Sequence, residues 1–158
     1  MAEPGSGVRD GMTSVFAHRI WPADSRSLPA IRAELHGWLA ALSLDEDDED
    51  DLVLAVNEAA SNSIEHAYPP GTLDGTVELT FWIEDRGICL QIVDHGTWRD
   101  PSRSDSSRGR GILLMQRLMT VAMIDYDRRG TRVRLSMSLP DGDPLALIRL
   151  RLGGPSSW

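Results

Sequence analysis

Glu58, Asn62 and His66 recur every four residues in the stretch Asn57-Glu58-Ala59-Ala60-Ser61-Asn62-Ser63-Ile64-Glu65-His66-Ala67. On a helix that spacing stacks them along one side, each about 40° round from the last. A packed core has no use for such side chains, whereas a carboxylate and a carboxamide one turn apart suit a hard cation and a reacting hydroxyl. Three shorter patterns follow: Asp94-x-Gly96, Gly109-Arg110-Gly111 preceded by Arg108, and Thr131 directly after Gly130. Backbone amides at a glycine-rich helix start offer themselves to phosphate without a lysine, and one of the two arginines can grip phosphate oxygens in a bidentate way. Each pattern alone also has an ordinary structural reading. Glu58 can be a solvated helical acid, Asn62 a core-edge amide, Asp-x-Gly a turn and Thr131 a β-favouring residue. His66 suits a helix C-terminus through the dipole and is assigned to lining or structure.

Hydrophobic periodicity supplies the elements that must position these residues. Thr13 to Trp21 reads as a strand closed by Pro22, and Ser27 can cap a helix starting at Leu28-Pro29, with Ile31, Leu35, Trp38, Leu39 and Leu42 at helical spacing. The seven acids from Asp45 to Asp51 read as a solvated run favoured by the dipole of a second helix, from about Asp50 to His66, that stops before Pro69-Pro70-Gly71. Thr76–Glu84 and Ile88–Asp94 alternate apolar and polar residues around Asp85-Arg86-Gly87, the pattern of an antiparallel hairpin. His95 to Arg108 reads as a mobile loop, and Gly109-Arg110-Gly111 opens a third helix carrying Ile112, Leu113, Met115, Leu118 and Met119. Strands at Val121–Tyr126 and Thr131–Leu139 complete the order. The expectation is an α+β, two-layer sandwich: helices on one face of a mixed, mostly antiparallel sheet.

Composition narrows the function. A chain of 158 residues fits one domain, here residues 13–139, with residues 1–12 read as a disordered lead-in and 140–158 as a tail in which only Leu145–Leu152 looks able to order. A net charge of -8 argues against direct nucleic-acid binding, which rests on basic patches. All 16 basic residues are Arg, which excludes a phosphate-loop lysine or a Schiff base. The single Cys89 rules out a disulfide framework and reads as a small buried hydrophobe in a reducing cytoplasm. No apolar stretch approaches the ~20 residues of a membrane span, so neither export nor insertion is expected.

Taken together and in order, the four patterns resemble the Bergerat-type ATP-binding fold of gyrase, the Hsp90 chaperones, histidine kinases and MutL. Within that group the chain is most similar to the anti-sigma factor serine kinases of the RsbW and SpoIIAB type, over about residues 13–139. The resemblance makes Glu58, Asn62, His66 and Ala67 the family's N box. It implies that Asn62 ligates magnesium bridging the ATP phosphates and that Glu58 is the base toward the attacking hydroxyl. It makes Asp94-x-Gly96 the adenine-recognition box, with Thr131 supporting that contact through water. Arg108, Gly109, Arg110 and Gly111 would meet the phosphates, and Thr97–Arg108 would be a lid. Trp98 and Arg99 before Asp100-Pro101 depart from the family's usual lid sequence.

The resemblance further implies a kinase that holds a sigma factor and moves the γ-phosphoryl group of ATP onto a serine of an anti-anti-sigma (STAS-domain) partner. It also implies a homodimer, although Trp21, Trp38 and Trp82 can be core or contact and isolate no interface. The alternative is a nucleotide-binding anti-sigma or adaptor module that does not transfer phosphate.

Overall fold

A computed structural model describes residues 16–42, 44–84, 87–97 and 106–139, the side chains of 16 and 106–109 excepted. The expected lead-in, the Asp85-Arg86 turn, most of the lid and the tail lie outside the described residues. Five strands, β1 (Phe16–Pro22), β2 (Thr76–Glu84), β3 (Gly87–Asp94), β4 (Val121–Asp127) and β5 (Gly130–Ser138), form one sheet in the order β1-β2-β3-β5-β4. A mixed sheet was expected, yet every described pairing is antiparallel. Three helices, α1 (Leu28–Leu39), α2 (Glu46–His66) and α3 (Ser106–Leu118), join it to make the α+β sandwich.

Period-two alternation decides which face the helices cover. Val77, Leu79, Phe81 and Ile83 of β2, Ile88, Leu90 and Ile92 of β3, and Val133, Leu135 and Met137 of β5 are all buried on one face. Against them lie Ile31, Leu35 and Leu39 of α1, Leu52, Val56 and three alanines (Ala55, Ala59, Ala60) of α2, and Met115 of α3. The alanines and buried Ser63 keep the inner face of α2 narrow, so the helix carrying Glu58 and Asn62 can sit close to the sheet. Trp38 reaches from α1 to stack on Phe81, ring centroids 5.3 Å apart. Trp21 packs at the edge of the same core, whereas Trp82 lies partly exposed with its indole N–H donating to Glu84 (3.1 Å). The buried face changes character at one end. Its last β3–β5 rung pairs Asp94 with Thr131, both buried, in place of two apolar residues.

Several expected boundaries shift for local reasons. Pro22 does not close β1 but is its last residue, opposite Thr76, which an edge strand tolerates. Ser27 makes no capping bond: a 3₁₀ turn at Ser25–Ser27, capped by Asp24, runs straight into α1, and the Ser27 hydroxyl donates to the Pro22 carbonyl instead (2.8 Å). α1 ends at Leu39, and Leu42 reaches the core from the turn that follows. α2 begins four residues earlier than expected, with Asp45 as its N-cap accepting from the Asp48 N–H (2.8 Å), so most of the acidic run is helical. Partial burial, then Asp45, Asp51 and Asp47 nearby, push the Asp48 carboxyl above its ordinary value. Cys89 is not buried; it alternates onto the sheet face opposite the helices, near Ser136, while Ile88 and Leu90 point inward.

Candidate functional site

Two groups of side chains form at different points along α2. At the first, Gly111 of α3 lies against Glu58 and Asn62: a Cβ at 111 would come 2.8 Å from Glu58 Oε2 and 3.5 Å from Asn62 Nδ2. Among the described residues neither the Glu58 nor the Asn62 side chain has a hydrogen-bond partner, and both are partly open to solvent. Their neighbour Asn57 is committed elsewhere, accepting from Arg32 of α1 (2.9 Å), which ties the rotation of α2 to α1. The glycine pattern expected to open α3 falls inside it: the helix starts at Ser106, so the free amides of its first turn belong to Ser106, Ser107 and Arg108, with Gly109, Arg110 and Gly111 following. The last three residues of the expected lid, 106–108, are therefore helical. Arg110 is exposed, and the described backbone puts Arg108 and Gly109 in the first turn.

The second group gathers where α2 ends. Asp94 is 2% exposed, and its Oδ1 accepts from the Gly96 N–H (3.2 Å) and the Thr131 N–H (3.1 Å). Oδ2 makes no protein hydrogen bond among the described residues. A buried carboxylate with one oxygen uncommitted is arranged to receive a donor from a ligand. Thr131, 6% exposed, stands opposite it in register. The Thr97 N–H donates to the Ala67 carbonyl (2.7 Å), and Gly96 lies so close to Ala67 that a Cβ would meet its carbonyl oxygen at 2.1 Å. His66 is half-buried at the end of α2, its Nε2 3.7 Å from Glu65.

Asn62 and Ala67 are five residues apart, about 7.5 Å along the helix, and Glu58 lies a further turn back. One helix thus separates a buried acceptor at its C-terminal end from a carboxylate and an amide further back along it, beside the N-terminal half of α3, a layout suited to an extended nucleoside triphosphate. Beside Asp94 and Thr131, a cleft of about 330 Å³ opens between the ends of β3, β4 and β5, lined also by His95, Tyr126, Asp127 and Arg129 among others.

Gly130 is required in this arrangement. Its φ is +139°, and a Cβ there would come 1.9 Å from the Asp94 carbonyl oxygen. Gly130→Ala is expected to cost about 3 kcal/mol or more through strain and displacement of β3. Urea unfolding of the two proteins checks this, and an unchanged midpoint would contradict it.

Residue patterns alone missed one cluster. On the sheet face opposite the helices Glu78 takes His95 Nε2 at Oε1 (2.6 Å) and His18 Nε2 at Oε2 (3.2 Å). The bond with His95, aided by that with His18, holds the Glu78 carboxyl below its ordinary value, against an opposing push from burial. A depressed acid contributes stability present above its unfolded pKa and lost as pH falls through the folded one. The stability gap between wild type and Glu78→Gln is therefore expected to shrink as pH drops below the ordinary glutamate range. Denaturation midpoints across that range test it; a gap that stays constant would refute it. Only a contact 60 residues distant links His18 to Glu78, so no local signal marks it.

Residues 21–137 match the family pattern described as the histidine kinase-like ATPase domain. The chain belongs to this family. The match begins within β1 and ends within β5, so this histidine kinase-like ATPase domain takes in both groups of site residues. The serine-protein kinase RsbW of Staphylococcus epidermidis is 29% identical, covering 73% of this chain and 92% of that protein. The anti-sigma F factor of Clostridium botulinum (strain Eklund 17B / Type B) is also 29% identical, covering 66% and 80%. Among solved structures, the RsbU and RsbW domains of a Mycobacterium tuberculosis protein superpose with a TM-score of 0.65 at 25% identity, over 79% of this chain and 32% of that one. No described helix is long and apolar enough to cross a membrane.

Proposed function

We propose that this chain is an ATP-dependent anti-sigma factor serine kinase, which holds a sigma factor inactive and phosphorylates a serine of an anti-anti-sigma partner. The observation that carries the reading is the single helix α2, which holds Glu58 and Asn62 against α3 at one point and at its end meets Gly96 and Thr97, directly after the buried Asp94 that pairs with Thr131. RsbW and anti-sigma F relatives covering most of their own length support the same activity.

In this reading Asp94 accepts from the exocyclic amine of adenine at its uncommitted oxygen, and Thr131 supports that contact. The triphosphate runs along α2 toward the N-terminus of α3, where the first-turn amides, Gly109, Gly111 and one of Arg108 and Arg110 meet phosphate oxygens. Glu58 takes the proton of the incoming serine hydroxyl; the serine oxygen bonds to the γ-phosphorus as the bond to the β–γ bridging oxygen breaks, and ADP leaves. Magnesium, when bound, would neutralise charge on the phosphate oxygens, with the neutral hard oxygen of the Asn62 carboxamide as its protein ligand. The residues fit such an ion. No three His, Cys, Asp or Glu side chains among the described residues gather into a metal cage, so its coordination shell would be completed by phosphate and water. The working form is a homodimer in the cytoplasm.

The deciding experiment mixes the purified chain with γ-labelled ATP, magnesium and candidate anti-anti-sigma proteins. Label on a partner serine is expected. ATP binding with no transfer to any partner would instead favour an anti-sigma module that only senses nucleotide.

A further inference from the structure

The β2–β3 ladder ends where a side chain takes the place of a rung. Backbone pairing runs from Glu84–Gly87 to Val77–Asp94, and the next residues in register are Thr76 and His95. The Ala23 N–H donates to the Gly75 carbonyl on the β1 side (2.8 Å), so by alternation the N–H and C=O of Thr76 point toward β3. What they meet there is the hydroxyl of Tyr68. It donates to the Thr76 carbonyl (2.6 Å), accepts from the Thr76 N–H (3.2 Å) and accepts from the His95 N–H (2.9 Å). One O–H and two lone pairs are thereby all used. The ring is seated against Gly75, where a Cβ would lie 2.9 Å from its Cγ.

This wedge decides where the chain goes after Asp94. With His95 bonded to a side-chain oxygen instead of to Thr76, the end of β3 leaves β2 and crosses to α2, where the Thr97 N–H finds the Ala67 carbonyl. The imidazole of His95 is held as well, by Glu78 on the sheet face opposite the helices. The residue between Asp94 and Gly96 is therefore anchored through its backbone by Tyr68 and through its side chain by Glu78. Both anchors act one residue from the buried carboxylate whose Oδ1 is taken by Gly96 and Thr131.

We infer that Tyr68 is a positioning residue for adenine recognition: its hydroxyl substitutes for a ladder rung and so sets the angle at which Asp94 presents its uncommitted oxygen to the base. The inference rests on the reading of Asp94 as the base contact. It does not touch the chemistry at Glu58, so it should alter choice of base and not the transfer step itself.

The test compares ATP with inosine triphosphate, which lacks the exocyclic amine, by calorimetry on the full chain and on Tyr68→Phe. The wild type is expected to prefer ATP. In Tyr68→Phe, which keeps the ring against Gly75, that preference should fall about tenfold, while affinity for inosine triphosphate moves less than about threefold. A wild type that binds both equally removes the base-contact reading and this inference with it. A wild type that discriminates, alongside a variant that discriminates as well, overturns the role of Tyr68 alone. Equal weakening of both nucleotides means a merely structural residue and also overturns it. Should the variant not fold, amide exchange in the wild type decides: the His95 and Thr76 amides are expected to exchange as slowly as ladder amides of β3. Exchange as fast as in the 69–75 loop would sink the proposal.

Discussion

Glu58→Gln is expected to slow phosphotransfer to the partner serine by about 10²–10⁴-fold, the range a positioned general base supplies, while ATP affinity changes little. The substitution keeps the shape of a side chain whose Oε2 lies beside Gly111 and removes only its ability to take a proton. The Glu58 side chain makes no hydrogen bond among the described residues, so the variant orphans no partner among them and the fold should be unaffected. Single-turnover transfer from γ-labelled ATP measures the rate, and calorimetry the binding. Sigma-factor retention by the variant would separate holding from chemistry. A variant that transfers phosphate at the wild-type rate would remove Glu58 from the reaction and leave a nucleotide-sensing module as the better description.

Asp94→Asn is expected to weaken ATP binding about 10- to 100-fold, the worth of a hydrogen bond to a charged group. Both Asp94 carboxylate oxygens can accept, and Oδ1 already takes the Gly96 and Thr131 amides. An asparagine must turn its NH₂ either toward those two donors or toward the adenine amine. Either way a donor faces a donor at a side chain that is 2% exposed, where water cannot readily make up the loss. The loss should fall on ATP binding more than on the rate at saturation, because Asp94 lies by the C-terminal end of α2, more than two helical turns from Glu58. Unchanged affinity would place the base somewhere else.

Much of this was legible before any coordinates. The period-two runs of β2 and β3 and the apolar stripe of α2 appear where alternation puts them, because burial of one face dictates both. Boundaries were less legible, since they depend on which side chain captures a terminal amide. Asp45, not a residue near Asp50, caps α2, and Asp24 caps the turn that displaces Ser27 from its expected role. The glycine pattern places the start of α3 at Gly109, a helix entry in sequence terms, whereas the helix begins three residues earlier at Ser106. Inside the fold, Gly111 is the place where α3 can approach Glu58 and Asn62 without a side chain between them.

By itself, the order of residues determined the two-layer class, the face of α2 that carries the carboxylate and carboxamide, and the absence of any lysine from the chemistry. Helical and strand periods are local properties and can be read along the chain. Tertiary structure alone decided that Asp94 would be buried with one oxygen taken by Thr131, 37 residues away, that His18 and His95 would share Glu78, and that the Tyr68 hydroxyl would end a ladder between two strands. Such contacts join groups whose separation in sequence carries no period. They exist only once the packed core has set the register of β3 on both of its neighbours, and hydrogen bonds buried there must find whatever partner that register brings.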